Sequence, residues 1–288
     1  MISFEKLNSK NIDKFYFLLN EAMDKVPFRE NFKDYYDEKS FIIRFVIKKM
    51  VKIIKKDDIY VGYIWVEPQD SNSVRILDMY IKEEYIHKFN KTLPLILKSN
   101  LVTYDTFENY SSIALLQRLH FDRIRPTFLL KLDKTYSSNF NDKHLNFSIY
   151  NPIKDASTRC NMQNSIFKEE NRVPLTIEDI HYDARQDYYI ADLCIFIKYD
   201  NVPIGYGQII YSRKLYTIAN FGIIVAYRKK GFGKVLIKKL ISAAKEKGID
   251  TLYIRVDSTN IPAIMLYENV GFKKLGTFSS WLWSKEFI

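Results

Sequence analysis

Arg228, Lys229, Lys230, Gly231, Phe232, Gly233 and Lys234 put four cationic side chains and two glycines into seven consecutive positions. Such a segment suits an anion. Glycine lets the backbone close around a bound group without a Cβ in the way. Arginine grips planar oxyanions through two N–H groups at once, and lysine adds point charge. The seven residues follow an apolar, strand-like run, Tyr216 to Val225, and precede a helix-like one, Gly231 to Lys247. The first N–H groups of a helix lack intrahelical partners, and the helix dipole adds positive potential there. A pyrophosphate suits this arrangement better than a single carboxylate.

The surrounding elements are legible in the same half of the chain. Tyr189 to Tyr199 and Val202 to Ser212 are β-branched and aromatic runs joined by Asp200-Asn201, which predicts a hairpin. Val235, Leu236, Leu240, Ile241 and Ala244 recur at helical spacing, and Gly248 closes that helix. Thr251 to Val256 reads as a strand, Pro262 opens a second helix that Gly271 ends, and Phe272 to Trp283 is strand material. Upstream, Ile153 to Lys168 and Thr176 to Tyr182 read as helices. Eight of the nine glycines lie in this half; only Gly62 precedes it.

The first half repeats the order weakly. Asn8 to Met23, Lys39 to Lys55, Glu84 to Lys98 and Ser111 to Leu119 read as helices. Ile59 to Val66, Val74 to Ile81, Leu101 to Tyr104 and Thr127 to Leu132 read as strands. At a constant offset of 151 residues, Asn109, Ile113, Leu116 and His120-Phe121 match Asn260, Ile264, Tyr267 and Gly271-Phe272, which points to a duplication. The expected division is 1–135, a polar linker 136–146, and 147–288.

Arg228-x-x-Gly231-x-Gly233 between a strand and an amphipathic helix resembles the first motif of the GCN5-related N-acetyltransferase (GNAT) family. Asn260, Ala263, Leu266-Tyr267 and Gly271-Phe272 resemble its second. The resemblance covers residues 145–288 well and 1–135 only by element order. It implies an α/β (α+β) fold of two tandem acetyltransferase-like domains, each a mixed central sheet flanked by helices, with acetyl-CoA entering a split between the fourth and fifth strands. Carried over residue by residue, Phe221, Gly222 and Ile223 would face the pantetheine. Arg228, Lys229, Lys230, Gly231, Phe232, Gly233 and Lys234 would hold the pyrophosphate, Asn260 would contact the cofactor, and Tyr267 would protonate the departing thiolate. The implied activity is transfer of an acetyl group from acetyl-CoA to a primary amine by direct attack in a ternary complex. The first half departs from the pattern: its loop near Glu84 to Lys91 has no glycine, Ile86 stands at the arginine position, and Leu116 replaces the tyrosine. It is expected to be degenerate and to bind no CoA.

That chemistry needs an oxyanion donor, which a backbone N–H near Ile223 can supply, and an acid matched to a thiolate of pKa near 8.5 to 10, which a phenol can supply. It also needs a deprotonated amine. Many relatives carry a glutamate on the fourth strand; Thr217 stands there in this chain. Glu178, His181, Asp183, Asp192 and Asp257 are candidate bases by type alone, and Glu169-Glu170 and Glu178-Asp179 lie where an acceptor wall is expected.

Composition narrows the rest. The 288 residues are 47% hydrophobic and 27% charged, which excludes disorder for the bulk of the chain. Two cysteines cannot build a disulfide framework, and no Cys/His group has zinc-ligand spacing, so no metal is expected. The longest uncharged run, Leu215 to Tyr227, falls short of the roughly 20 residues a membrane helix needs. A soluble, cytoplasmic chain is expected, without membrane or nucleic-acid partners; a homodimer stays open. The net charge of +10 divides +4 and +6 between residues 1–144 and 145–288, with no basic tail. Two alternatives stand beside catalysis: an acyl-CoA-binding or sensing module that has lost the chemistry, and a nucleic-acid binder using the overall charge.

Overall fold

The computed structural model describes residues 2–285 apart from 26–27, 38, 91–95, 140–141 and 170–171. The chain divides into two compact units. Unit 1 is Met1–Thr127 with Gly276–Ile288, and unit 2 is Phe128–Leu275. The linear division at 136–146 is therefore crossed twice: the C-terminal residues belong to unit 1, and Phe128 to Leu132 belong to unit 2.

Unit 1 contains β1 (Ile2–Lys6), α1 (Ile12–Lys25), α2 (Phe32–Asp37), α3 (Phe41–Lys49), β2 (Val51–Lys56), β3 (Ile59–Pro68), β4 (Ser73–Ile81), a 3-10 turn at Glu83–Lys88, β5 (Leu101–Phe107), α4 (Tyr110–Arg118) and the start of β6 (Asp122–Leu132). Its sheet runs β1-β2-β3-β4-β5 and ends on the last strand, β12 (Lys273–Ser284). β12 lies antiparallel to β5 from Phe278↔Phe107 to Ser284↔Leu101. Trp281 and Trp283 thereby join the core of Val61, Ile64, Ile76 and Val102. Both tryptophans are buried in this core.

The helix expected over 39–55 stops at Lys49. Val51 and Ile53 pack toward Phe15 and Trp65, Ile54 packs toward Val61 and Ile76, and β1 and β3 flank the strand on both sides. Burial on two faces needs a strand, and neighbours far along the chain supply it. The helix expected over 84–98 is the 3-10 turn at Glu83–Lys88, and 91–95 lie outside the described residues.

Unit 2 contains β7 (Leu145–Ile149), α5 (Ala156–Ile166), α6 (Ile177–Asp183), β8 (Tyr189–Tyr199), β9 (Val202–Ser212), β10 (Leu215–Ile223), α7 (Phe232–Glu246), β11 (Leu252–Asp257) and α8 (Ile261–Glu268). Its sheet runs β6-β11-β10-β9-β8-β7. The β8–β9 hairpin turns through Asp200 and Asn201, both at positive φ (48° and 66°), as a two-residue hairpin turn requires. α7 packs Leu236, Ile237, Leu240, Ile241 and Ala244 onto one face of the sheet, with Leu130 and Leu132 of β6 in the same core. α5 and α6 cover the other face through Cys160, Met162, Ile166 and Ile180, against Phe196 and Tyr206. Part of the expected linker is docked: Thr135 bonds Asp250 and Ile249, and the Tyr136 hydroxyl donates to Val270 O at 3.2 Å.

Candidate functional site

The site begins with a parting of strands. β10 pairs in parallel with β11 at Thr217↔Tyr253 and Ile218↔Ile254, and no further among the described residues. It keeps its antiparallel partner β9 as far as Ile223↔Gly205. The separation coincides with a bulge between Ala219 and Gly222, where Asn220 takes φ 51°. An extra residue in one strand bends it away from its neighbour.

The bend aims one peptide group. Ile224 N–H donates to Ile204 O at 2.9 Å. Facing alternates along an antiparallel ladder, so Ile223 turns its N–H and C=O away from β9, into the split. The Ile223 carbonyl accepts from Arg228 Nε at 2.9 Å. Its N–H lies on the same side of the strand, where an oxyanion donor is needed. Glycine is required next to it: a Cβ on Gly222 would sit 2.3 Å from Ile166 Cγ2 of α5.

Beyond β10, a 3-10 turn at Val225–Tyr227 leads to Gly231, the N-cap of α7, at φ 86°. A Cβ there would meet nothing within 4 Å, so the space before the helix is open. The N–H groups of Lys234 and Val235 turn back onto Gly231 O. Those of Phe232 and Gly233, in the first turn, have no intrahelical acceptor. No acidic residue stands in that turn, and Lys229, Lys230 and Lys234 are exposed around it. Phe232 packs against Tyr199 and Tyr227, with ring centroids 5.6 and 6.2 Å away, which pins the loop to the hairpin. Gly233 lets α8 approach: a Cβ would lie 3.3 Å from Leu266 Cδ2.

Arg228 is placed differently from the simple expectation of a phosphate grip. Nε donates to Ile223 O, and Nη2 donates to Ile166 O at 2.7 Å. The guanidinium ties the end of α5 to the end of β10. Asn260 caps α8, its Oδ1 accepting from Ala263 N at 3.2 Å. Phe221 and Tyr267 meet edge to face at 5.9 Å. Tyr267 is buried, and desolvation pushes its phenol above the usual tyrosine range, so it holds its proton.

The candidate bases scatter. Asp192 pairs with Lys247 at 2.5 Å on the surface. Asp257 accepts from Thr259 N and Oγ1 at 2.9 and 2.7 Å. Glu178 and His181 are exposed on α6, and Glu170 lies outside the described residues. Asp183, at the end of α6, accepts from Arg159 Nη2, from the Tyr188 hydroxyl at 2.7 Å and from Gln208 Nε2 at 3.4 Å. Arg159 is buried between the rings of Tyr150 and Tyr206, 5.0 and 4.8 Å from their centroids. This network was missed in the sequence, where nothing marks Arg159 on α5 as the partner of a carboxylate 24 residues later. Cys194 is fully buried and desolvation raises its thiol pKa, which fits packing and not nucleophilic attack. Among the described residues no cluster of His, Cys, Asp and Glu could hold a metal ion. No described helix is long and apolar enough to cross a membrane.

Residues 161–272 match the profile of the Acetyltransferase (GNAT) family. An uncharacterized N-acetyltransferase, CgeE, of Bacillus subtilis is 28% identical over 129 residues, 42% of this chain and 48% of its own length. The ribosomal protein bS18-alanine N-acetyltransferase of Haemophilus influenzae is 44% identical over 59 residues, 20% of this chain and 40% of its own length. The match thus spans less than half the length of either relative. A GCN5-related N-acetyltransferase from Sphaerobacter thermophilus superposes with a TM-score of 0.68 at 12% identity, covering 98% of this chain and 95% of its own. A tandem GNAT protein from the clavulanic acid biosynthesis pathway does so with a TM-score of 0.62 at 10% identity, covering 99% and 98%. Likeness at such identities shows the fold.

Proposed function

We propose that this chain, whose residues 161–272 carry a GNAT-family acetyltransferase domain within a tandem fold, transfers an acetyl group from acetyl-CoA to a primary amine. The observation that carries the reading is the parting of β10 from β11 after Ile218, which opens onto both the Ile223 peptide and the N-terminus of α7. In this reading Phe221, Gly222 and Ile223 present the strand edge to the pantetheine. The N–H groups of Phe232 and Gly233, with Lys229, Lys230 and Lys234 around them, receive the pyrophosphate. Gly231 supplies the left-handed turn, and Arg228 holds the Ile223 carbonyl so that its N–H stays aimed at the developing oxyanion. Asn260 fixes the start of α8 and leaves Nδ2 for the cofactor. Tyr267 gives its proton to the leaving thiolate. Attack is direct, in a ternary complex, and the donor supplies the activated acyl group.

Asp183 is held by three donors, which suits orienting the acceptor wall better than free proton abstraction. Thr217 cannot act as a base, so the amine must lose its proton to water or arrive neutral. That absence also supports the second reading, a module that binds acyl-CoA without turning it over. Two free, buried thiols favour action in the cytoplasm. The first repeat, 1–135, is assigned no donor site.

Calorimetric titration of acetyl-CoA followed by thiol release across a panel of amines tests the reading. One donor site per chain and amine-dependent CoA release support transfer. Binding with no amine stimulation selects the second reading, and no binding at millimolar donor removes both.

A further inference from the structure

Unit 1 carries an apolar helix face with no covering element. In α3, Phe41, Ile42, Phe45 and Val46 are 85, 76, 57 and 47% exposed, and only Ile47 of the helix is buried. Their spacing, i, i+1, i+4 and i+5, puts all four on one stripe. Isolated exposed apolar residues are ordinary, but four contiguous ones on a single helix face are not.

The charges around the stripe have one sign. From Lys39 to Lys56 the chain holds seven basic residues and no acidic one. Lys49 lies over the Phe45 ring at 4.3 Å, and Arg44 and Lys48 lie over Tyr36 at 5.3 and 5.7 Å. The bases therefore border the stripe with their charged heads over aromatic rings, and the Arg44 guanidinium is turned inward, its Nε buried and its Nη2 on the Asp37 carbonyl. Acidic residues flank the run: Asp34 and Asp37 of α2 and Glu38 precede it in sequence, and Lys55 and Lys56 of β2 are paired with Glu5, Asp57 and Asp58.

We propose that α3 docks this protein on an anionic lipid bilayer, Phe41, Ile42, Phe45 and Val46 entering the headgroup boundary while Lys48 and Lys49 meet lipid phosphates. The helix is nine residues long, about 13 Å, far short of the hydrocarbon thickness, so it lies in the plane of the interface. An apolar face bordered by lysine and arginine has the composition of an interfacial helix. Charge complementarity selects this occupant over a second copy, because two copies meeting through α3 would bring together two helices that carry Arg44, Lys48 and Lys49 and no acidic residue. Peripheral contact of this kind would depart from the expectation of no membrane partner. The inference is independent of the acetyltransferase reading.

Flotation of the full chain with vesicles tests it. We expect retention on phosphatidylcholine containing about 30% phosphatidylglycerol and not on phosphatidylcholine alone. Raising NaCl from about 0.1 to about 0.5 M should release most of the protein. The pair Phe41→Ser with Phe45→Ser, and separately Lys48→Gln with Lys49→Gln, should each weaken retention about tenfold or more. Because all four side chains lie outside the cores, acetyl-CoA titration and circular dichroism should stay unchanged in both variants. No retention on anionic vesicles, or equal retention of the variants, overturns the proposal. So does a dimer in sedimentation equilibrium that the Phe41/Phe45 pair dissociates, since the stripe would then serve a second copy.

Discussion

Gly231 and Gly248 form an internal experiment on the anion site. Both take left-handed φ, 86° and 73°, and a Cβ on either would meet nothing within 4 Å. They flank the same helix at opposite ends: Gly231 caps the start of α7, and Gly248 follows its end, donating to Lys245 O at 3.0 Å. Alanine at either position has no steric conflict to resolve. Its cost is the backbone strain of an L-residue in the left-handed region, about 1–2 kcal/mol. Gly231→Ala and Gly248→Ala should therefore lower Tm alike, by roughly 2–8 °C. They should differ in donor binding, because only the Gly231 methyl projects into the space ahead of the helix N-terminus. Glutamate sharpens the contrast. One carboxylate charge about 5 Å from one phosphate charge, at an effective dielectric near 20, costs about 3 kcal/mol, or two orders of magnitude in affinity. Calorimetric titration should show acetyl-CoA binding weakened about 100-fold or more in Gly231→Glu and within about threefold of the parent in Gly248→Glu. Equal affinities in the two glutamate variants would remove the pyrophosphate from α7. A Tm loss in Gly231→Ala much larger than in Gly248→Ala would mean that the space before the helix is not open.

Three further outcomes are expected. Tyr267→Phe should lower amine-dependent CoA release about 100-fold, with Tm almost unchanged, because no hydrogen bond to the hydroxyl is seen among the described residues; comparable turnover would remove the phenol from the mechanism. Burial raises the pKa of Tyr63, Tyr104, Tyr206 and Tyr267 above the unfolded value near 10, so the folded state binds more protons above that pH and stability falls as pH rises. The urea midpoint should hold up to about pH 9 and fall progressively from about pH 10 upward, and a flat profile above about pH 10 would contradict the burial. A fragment of residues 147–288 should fail to unfold cooperatively, since it lacks Leu130 and Leu132 of its core, each worth about 2–5 kcal/mol, whereas 128–275 should melt as a unit; cooperative melting of 147–288 would refute the exchange of end segments.

Much of the candidate site's backbone was legible because its signals are local. Gly231 and Gly233 between a strand and an amphipathic helix mark the loop within a few residues, and the bounds of β8 and β9 follow from Asp200-Asn201. What was not legible depends on partners distant in the chain. Arg228 reads as a phosphate ligand, and nothing near it in sequence tells that Ile166, 62 residues earlier, also offers it a carbonyl. β2 reads as a continuation of α3 because Val51–Lys56 is short and apolar, and only β1 and β3 on either side make it a strand. The last strand reads as part of the second repeat because chain order suggests it, yet β5 is its hydrogen-bonding partner. Arg159 carries no signal of any kind, since a buried arginine on a helix is defined by the carboxylate that meets it.

The two repeats share a backbone scheme and differ in what fills the split. In unit 1, β4 and β5 pair in parallel up to Ile76↔Tyr104 and then stop, as β10 and β11 do after Ile218↔Ile254. Gly62 faces Ile81 as Gly205 faces Ile223, and Lys82 N bonds Val61 O as Ile224 N bonds Ile204 O. Asn109 and Asn260 both cap the following helix, and His120 and Gly271 both take left-handed φ after it. Yet Arg29 enters the first split. It pairs with Asp78 at 2.8 Å and also donates to the carbonyl of Met79. Tyr63 and Tyr104 donate to the same carboxylate at 2.5 and 3.4 Å. Burying two charges is costly, and only this full set of partners makes it tolerable. Strands that part leave polar edges that must be satisfied. Unit 1 satisfies them with its own side chains, and its 3-10 turn opens on Glu83 and Glu84, where Val225 and Ala226 stand in unit 2. In unit 2, Arg228 ties down the Ile223 carbonyl, and in the proposed reading the N–H and the start of α7 await the donor. If the first repeat binds no donor, as proposed, the plug in its split accounts for that as much as its missing glycines do. Restoring glycines to its loop would leave Arg29 and Asp78 in the way.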